Sequence, residues 1–274
     1  MTAERPLLSA RISVDYRNKP GVLRDVCLEI HRGEIVGLVG ESGSGKSTFA
    51  LALLQLLQLK GATVQGEVIF QGENLLQKTE SQLRAMRGRQ MSVVLQSPLT
   101  SLNPALRIGT QLREAWRAHA TGTNGECAAA VRAALRDVSL PDDDEFLRRR
   151  PSQLSVGQGQ RVIIAMAILH RPALLIADEA TSALDTITQA EILRLFGQLN
   201  RDLDMAILYI SHDLLSVASL CHRIAIMRDG EIVECGAPET IFGSPRHAYT
   251  QRLIAALPSL SLGKTLLSPV VTVS

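Results

Sequence analysis

The sequence contains few aromatic residues, no strong excess of either charge and no long apolar run. Aromatic residues make up 3% of the 274 residues, which leaves few rings on which successive bases of a single-stranded nucleic acid could stack. The 29 basic and 27 acidic residues give a formal net charge of +2, so the chain lacks the concentrated positive charge of a dedicated nucleic-acid binder. We therefore expect no nucleic-acid partner.

The longest apolar run extends from Val162 to Leu169. A helix that spans a bilayer needs about 20 apolar residues, so we expect this chain not to cross a membrane by itself. Its first residues also lack the apolar stretch of a secretory signal, which predicts that the chain stays in the cytoplasm. Its four cysteines include no CxxC pair, and this spacing favours reduced thiols over a zinc site or a disulfide framework.

The patterns that are present indicate an α/β fold. Short apolar strands at residues 35–39 and 173–177 alternate with helical segments, which is typical of a mostly parallel sheet. From residue 97 to about residue 154 strand-like runs disappear and helix-forming residues dominate. We therefore predict one sheet-based domain with an inserted helical lobe, which agrees with a length of just under two domains of roughly 150 residues each.

The first predicted helix follows the strand at residues 35–39. Residues 46–59 are rich in alanine and leucine, and Lys60-Gly61 supplies a cation and a glycine suited to the helix end. Further helices are expected over residues 111–120, 126–138, 157–169 and 188–203, and a β-hairpin is expected around Asp229-Gly230.

A glycine-rich segment between the first apolar strand and this helix predicts a phosphate-binding loop. It matches the pattern G-x-x-x-x-G-K-[ST], in which glycines let backbone N–H groups surround phosphate oxygens at a helix N-terminus. Lys46 is expected to reach the β- and γ-phosphates, and the Ser47 hydroxyl to bind Mg²⁺. The residues expected to hold the nucleotide are Gly40, Glu41, Ser42, Gly43, Ser44, Gly45, Lys46, Ser47 and Thr48.

Two adjacent carboxylates, Asp178 and Glu179, end the second apolar strand. By itself such a pair is commonly a helix cap or a solvated turn. Because parallel strands deliver their carboxyl ends to one ligand crevice, the phosphate loop upstream favours a catalytic interpretation. Asp178 is then expected in the Mg²⁺ coordination sphere, and Glu179 is expected to orient or deprotonate the attacking water.

The segment LSVGQ at residues 154–158 resembles the signature of the ATP-binding-cassette (ABC) ATPases, which is usually LSGGQ. The order of motifs along residues 10–258 is similar to that family too. It runs through Tyr16, the phosphate loop, Gln96, the signature, Asp178-Glu179, Ser182-Ala183-Leu184-Asp185 and His212. The resemblance implies a P-loop NTPase core with a mostly parallel sheet, an antiparallel β subdomain and a helical subdomain at about residues 97–156. It assigns residues 1–240 to the ATPase domain and residues 241–274 to a C-terminal tail.

The resemblance also implies ATP and Mg²⁺ as cofactors and gives roles to residues that would otherwise be ordinary. Tyr16 would stack on adenine, although a tyrosine of the strand core explains the sequence equally well. Gln96 would contact Mg²⁺ or the attacking water, and His212 would contact the γ-phosphate and Glu179. The implied catalytic residues are Lys46, Gln96, Glu179 and His212, and the implied Mg²⁺ ligands are Ser47, Gln96 and Asp178.

In this family two cassettes pack head to tail. The resemblance therefore places Asp185 at the dimer interface and implies that Ser155, Gly157 and Gln158 act in trans on the nucleotide of the partner cassette. Val156 and Gly159 depart from the family pattern, because the signature usually has glycine at the first position and a bulkier residue at the second. Val156 keeps the backbone N–H but narrows the approach to a phosphate. Ala180, which replaces a frequent proline, is expected to have little consequence.

The segments at residues 96–104 and 247–250 resemble the peptide and nickel importer branch of the family. This resemblance implies an ATPase subunit on the cytoplasmic face of the cell membrane. Its implied partners are two permease subunits, a second ATPase subunit that is identical or paralogous and, indirectly, an extracytoplasmic substrate-binding protein. A permease helix would dock near residues 97–111.

The cargo implied by this branch is a di- or oligopeptide, with nickel or a nickel-carrying metallophore as the alternative. An ABC-type ATPase of DNA repair or chromosome maintenance and a non-hydrolysing regulatory cassette are the competing interpretations. No iron–sulfur cluster is expected, because no cysteine follows residue 257.

Overall fold

A computed structural model describes residues 5–58, 61–95 and 101–257. The strands of the described chain form two sheets, one of four strands and one of six. The strands are β1 (Leu8–Tyr16), β2 (Lys19–Ile30), β3 (Ile35–Val39), β4 (Ala62–Phe70), β5 (Glu73–Asn74), β6 (Met91–Val94), β7 (Leu174–Asp178), β8 (Ala206–Ser211), β9 (Arg223–Arg228) and β10 (Glu231–Gly236).

The smaller sheet is antiparallel and has the order β2-β1-β4-β5. Alternate residues of β1, among them Leu8, Ala10 and Ile12, are buried, as expected of a sheet with one face on the core. They pack in an apolar cluster with Phe49 and Leu53 from the first helix. The smaller sheet therefore covers the helix that follows the phosphate loop.

The larger sheet has the order β10-β9-β3-β8-β7-β6, and only the β9–β10 pair is antiparallel. All residues of β3 and β8 are buried, because helices or the smaller sheet cover both faces. In the register of this sheet Val39 lies beside Ser211, and Asp178 lies beside Ile210. The carboxyl ends of β3, β7 and β8 thus lie at one edge of the sheet.

The described residues contain ten α-helices and two short 3₁₀-helices at residues 75–77 and 151–153. The α-helices are α1 (Lys46–Leu53), α2 (Glu80–Met86), α3 (Ile108–Arg117), α4 (Asn124–Asp137), α5 (Asp144–Arg148), α6 (Val156–Ile168), α7 (Thr186–Leu203), α8 (Leu214–Leu220), α9 (Pro238–Gly243) and α10 (Ala248–Ala255). Three of them, α3 to α5, form the helical lobe between β6 and α6. No helix of the described ranges is long and apolar enough to span a bilayer.

The first helix is shorter than the sequence predicts. The expected helix of residues 46–59 ends at Leu53, because Gln55 adopts a left-handed conformation with φ of +54°. The Arg87 side chain, from the loop after α2, donates hydrogen bonds to the free carbonyls of Leu54 at 2.8 Å and Gln55 at 2.9 Å. A tertiary contact therefore ends this helix, six residues before the position that its composition suggested.

Candidate functional site

The phosphate loop spans the gap between β3 and α1, and its glycines are required by its shape. A Cβ on Gly40 would lie 2.1 Å from the backbone oxygen of Met227. Gly45, which precedes α1, has φ of +112°, a conformation that side chains rarely adopt. The loop therefore packs against the end of β9 and leads directly into the N-terminus of α1.

Lys46 is buried beneath this loop, with 5% of its surface exposed. Its Nζ donates hydrogen bonds to the backbone oxygens of Gly40 at 2.7 Å and Glu41 at 2.9 Å. Burial lowers the pKa of the Lys46 ammonium, and the nearby carboxylates of Glu179 and Asp178 act in the opposite direction. Lys46 thus places a positive charge beneath the loop, near the carboxylates of Glu179 and Asp178.

Asp178 ends β7 beside the loop. Burial raises the pKa of its carboxyl group and the neighbouring charge of Glu179 adds to this rise, whereas a hydrogen bond from Ser47 and the charge of Lys46 oppose it. Its Oδ1 is buried and has no hydrogen-bond partner among the described residues. A buried carboxylate oxygen without a partner, next to a serine hydroxyl, is a donor set that suits Mg²⁺.

Glu179 follows Asp178 in a left-handed conformation with φ of +48°. This conformation is held by hydrogen bonds from its N–H to the oxygen of Ile210, at 2.9 Å, and from the Ser182 hydroxyl to its own oxygen, at 3.0 Å. The turn directs Glu179 differently from Asp178 and places its Oε1 3.6 Å from Nδ1 of His212. The structure therefore brings together Lys46, Ser47, Asp178, Glu179 and His212 at the carboxyl edge of the sheet.

The sequence profile of the family described as ABC transporter matches residues 23–182. The chain belongs to the ABC transporter family. The match begins in β2, includes the phosphate loop, Asp178 and Glu179, and ends just beyond them. The family assignment predicted from the order of motifs is thus confirmed.

Curated relatives of this ABC chain include the glutathione import ATP-binding protein GsiA from two organisms. The protein of Salmonella choleraesuis (strain SC-B67) is 43% identical over 244 residues, which are 87% of this chain and 39% of the relative. The protein of Escherichia coli O1:K1 / APEC is 41% identical over 256 residues, 91% of this chain and 41% of the relative. The chain therefore spans about two fifths of the length of these relatives.

Solved structures with the same fold are also ABC proteins. CbiO1 from Clostridium perfringens, part of the ABC transporter complex cbiONQ, has a TM-score of 0.77 at 23% identity, over 94% of this chain and 98% of that chain. The ATP-binding cassette MJ0796, in a dimeric post-hydrolysis state with ADP and Pi, has a TM-score of 0.71 at 27% identity, over 84% and 98%. The predicted fold class, an ABC-type P-loop α/β core with an antiparallel β subdomain and a helical subdomain, is confirmed.

The ABC signature lies at the start of α6. Ser155 caps this helix, because its hydroxyl accepts from the N–H of Gln158 at 3.2 Å while the Gln158 side chain accepts from the N–H of Ser155 at 3.1 Å. A Cβ on Gly157 would lie 2.7 Å from Thr188 Cγ2, so this glycine lets α6 approach α7. Val156 is 43% exposed. Within the described residues, no hydrogen bond links this capping box to the phosphate loop of the same chain.

The remaining predicted residues have mixed outcomes. Tyr16 ends β1 and is partly buried against the apolar cluster of the smaller sheet, which leaves both of its interpretations open. Gln96 lies outside the described residues. Asp185 caps α7, accepting hydrogen bonds from the N–H groups of Ile187 and Thr188.

The structure adds one residue to the site that the sequence did not assign to it. The hydroxyl oxygen of Tyr249, in α10, accepts a hydrogen bond of 3.1 Å from the N–H of Glu41 in the phosphate loop. The sequence singled out this tyrosine only as part of a branch-specific pattern. No local pattern indicates a contact between residues 208 positions apart.

Proposed function

We propose that the chain is the ATP-binding and ATP-hydrolysing subunit of an ABC importer for small peptides. The observation that carries this proposal is the convergence of Lys46, Asp178, Glu179 and His212 beside the phosphate loop. A cation for the phosphates, a carboxylate pair and an imidazole at one strand edge are the groups that phosphoryl transfer from ATP to water requires. The relatives support the cargo, because glutathione is itself a small peptide, and they favour peptide over the nickel alternative.

In this proposal Lys46 binds the β- and γ-phosphates, and Gly40 to Thr48 enclose them. Ser47, Asp178 and Gln96 hold Mg²⁺, which supplies positive charge to the phosphate oxygens when it is bound. Glu179 orients the attacking water and accepts its proton. His212 orients Glu179 and contacts the γ-phosphate, and Tyr16 stacks on adenine.

We further propose that a second cassette, of the same or a paralogous sequence, completes the site. The N-terminus of α6 presents free N–H groups and carries partial positive charge, which suits a phosphate of a partner cassette. Ser155, Gly157 and Gln158 supply this contact in trans, and Asp185 lies at the interface between the cassettes. The side chain of Val156 is exposed at the same helix start and limits how closely a phosphate approaches.

The permease subunits are proposed to bind a groove of about 360 Å³ between α3, α6 and β6. Apolar and small side chains line much of it, including Leu56, Met91, Ala115, Ile163 and Met166. Such a groove suits the apolar side of a short permease helix. It includes Ser101, within the expected docking segment of residues 97–111, whereas residues 96–100 lie outside the described part of the chain.

In this proposal the chain lies at the cytoplasmic face of the cell membrane, and the permeases connect it to an extracytoplasmic binding protein. An ATPase of DNA repair or chromosome maintenance is disfavoured, because the described part of the insert contains short helices of 5 to 14 residues rather than a long coiled coil.

The proposed function is tested by thermal unfolding of the purified chain with ATP and Mg²⁺. A ligand present at 100 times its Kd stabilises a folded protein by about 2.7 kcal/mol, so the wild-type chain should show a clear rise in Tm. Lys46→Met should remove most of that rise, because it removes the cation that binds the phosphates. An equal rise in both proteins would contradict the proposed site.

A further inference from the structure

The Gly40–Glu41 peptide group of the phosphate loop is held on both sides. Its oxygen, that of Gly40, accepts a hydrogen bond of 2.7 Å from Lys46 Nζ, and its N–H, that of Glu41, donates one of 3.1 Å to the Tyr249 hydroxyl. Under the proposed function, Lys46 turns toward the phosphates of a nucleotide and gives up its bond to this oxygen. The bond to Tyr249 then becomes the side-chain restraint that remains on the Gly40–Glu41 peptide.

Tyr249 is itself firmly placed. It is 3% exposed, and the Arg228 guanidinium lies 5.0 Å from the centre of its ring, in a cation–π contact. The N–H of Tyr249 donates to Nδ1 of His247, which caps α10. Because the ring is buried and stacked, its hydroxyl oxygen has a fixed position. The Glu41 N–H must therefore point toward that oxygen to keep the hydrogen bond.

The segment before Tyr249 is anchored to the larger sheet. The Glu234 carboxylate, on β10, accepts hydrogen bonds from the N–H groups of Arg246 at 2.8 Å and His247 at 3.1 Å. After Tyr249, Leu253 and Ile254 pack against the main apolar core. Residues 241–257, assigned from the sequence to a tail, are therefore built into the ATPase core.

The hairpin of β9 and β10 touches the same loop from a second direction. The N–H of Gly230 donates a hydrogen bond of 2.9 Å to the oxygen of Ser44. Arg228, two residues earlier, contacts the Tyr249 ring. The hairpin and α10 thus form one support, which meets the loop at Glu41 and at Ser44.

We propose that Tyr249 is a positioning residue for nucleotide binding, which holds the Gly40–Glu41 peptide in the orientation that keeps the phosphate loop open for the nucleotide. The inference rests on the proposed function. Through the hydrogen bond between Tyr249 and the Glu41 N–H, it connects α10 to the nucleotide site without contact with the reacting atoms.

The experiment compares Tyr249→Phe with Leu253→Ala in the full chain. Tyr249→Phe removes only the hydroxyl, and loss of one hydrogen bond that positions the loop should raise the Kd and KM for MgATP about fivefold, with kcat unchanged within about twofold. Leu253→Ala removes packing one helical turn further along α10. It should lower Tm at least as much as Tyr249→Phe does, yet leave the KM for ATP unchanged.

Hydrogen exchange of the Glu41 amide provides the second readout. This amide should exchange faster in Tyr249→Phe than in either the wild-type chain or Leu253→Ala. An unchanged KM in Tyr249→Phe, or an equal rise in both variants, overturns the positioning role while the proposed function stands. A wild-type chain that binds no ATP overturns the proposed function and this inference together.

Discussion

His212 Nδ1 lies 3.6 Å from Oε1 of Glu179, at the ends of neighbouring strands β8 and β7. The side chain of Glu179 is three-quarters buried, whereas that of His212 is mostly exposed to solvent. The backbone of Glu179 is held by hydrogen bonds to Ile210 and from Ser182, which set the direction in which its side chain leaves the chain. This relationship makes Glu179 the first target for substitution.

Glu179→Gln should preserve ATP binding but lower ATP turnover of the assembled complex by a factor of about 10² to 10⁴, the usual contribution of a general base. Glutamine keeps the size of the side chain but accepts protons poorly. Single-turnover ATP hydrolysis checks this result, with Glu67→Gln, at an exposed position of β4, as the matched control. Turnover that is unchanged in Glu179→Gln would exclude Glu179 as the base.

Asp178→Asn should stabilise the nucleotide-free chain at pH 7 and remove its response to MgATP. Burial raises the pKa of this carboxyl group above its ordinary value of 3.8, so the folded state binds the proton more tightly than the unfolded state. The free energy of unfolding that Asp178 contributes is then present below pH 3.8 and is lost as the pH rises through the folded pKa. Asparagine carries no such charge at neutral pH.

Thermal unfolding at pH 7, with and without Mg²⁺ and ATP, measures both effects of Asp178→Asn. Asp202→Asn, at an exposed position of α7, serves as the control and should change neither value. A lower Tm for Asp178→Asn without nucleotide would show that burial of this carboxylate does not destabilise the chain, and a full response to MgATP would show that it does not hold the cation.

Ala118→Glu should reduce transport in the assembled importer while ATP binding by the isolated chain is preserved. Ala118 is exposed and lines the groove proposed for the permease, so a charge there opposes the docking of an apolar helix without disturbing the core. Ala129→Glu, at an exposed position of α4, is the matched control. If both variants lose transport equally, or if Ala118→Glu loses ATP binding, the groove is not the docking site.

Arg87→Ala should lower the free energy of unfolding by about 2–6 kcal/mol, since two buried carbonyls lose their donor and a buried acceptor left without a partner costs about 1–3 kcal/mol. Leu54 and Gln55, which carry those carbonyls, are both buried, so water replaces the guanidinium poorly. Urea unfolding checks the change. Arg84→Ala, on the exposed side of α2, should stay within about 0.5 kcal/mol of wild type, and a similar loss in both variants would refute the capping role.

Much of the fold follows from local pattern. The apolar runs of β3 and β7 are buried on both faces, and the glycines between β3 and α1 adopt the tight loop that their spacing indicates. The hydroxyl of Ser155 caps α6 close to the predicted helix start. The periodicity of apolar residues, the helix caps and the glycine turns each depend on a few neighbouring residues. They can therefore be predicted from the amino-acid order alone.

The positions of functional side chains depend on contacts that no local pattern encodes. Glu179 has no glycine-like signal, yet hydrogen bonds from neighbouring segments hold it at φ of +48°. The link between Glu41 and Tyr249 joins residues 208 positions apart, and Arg87 ends α1 from 33 positions away.

By itself, the sequence determined the family and the fold class and supplied the candidate site residues, because each depends on motifs that are contiguous or in fixed order. Only the tertiary structure showed where α1 ends, how Glu179 lies relative to His212 and that Tyr249 of α10 contacts the phosphate loop. These features arise when packed elements bring distant polar groups within hydrogen-bond reach, where burial makes an unpaired donor or acceptor costly.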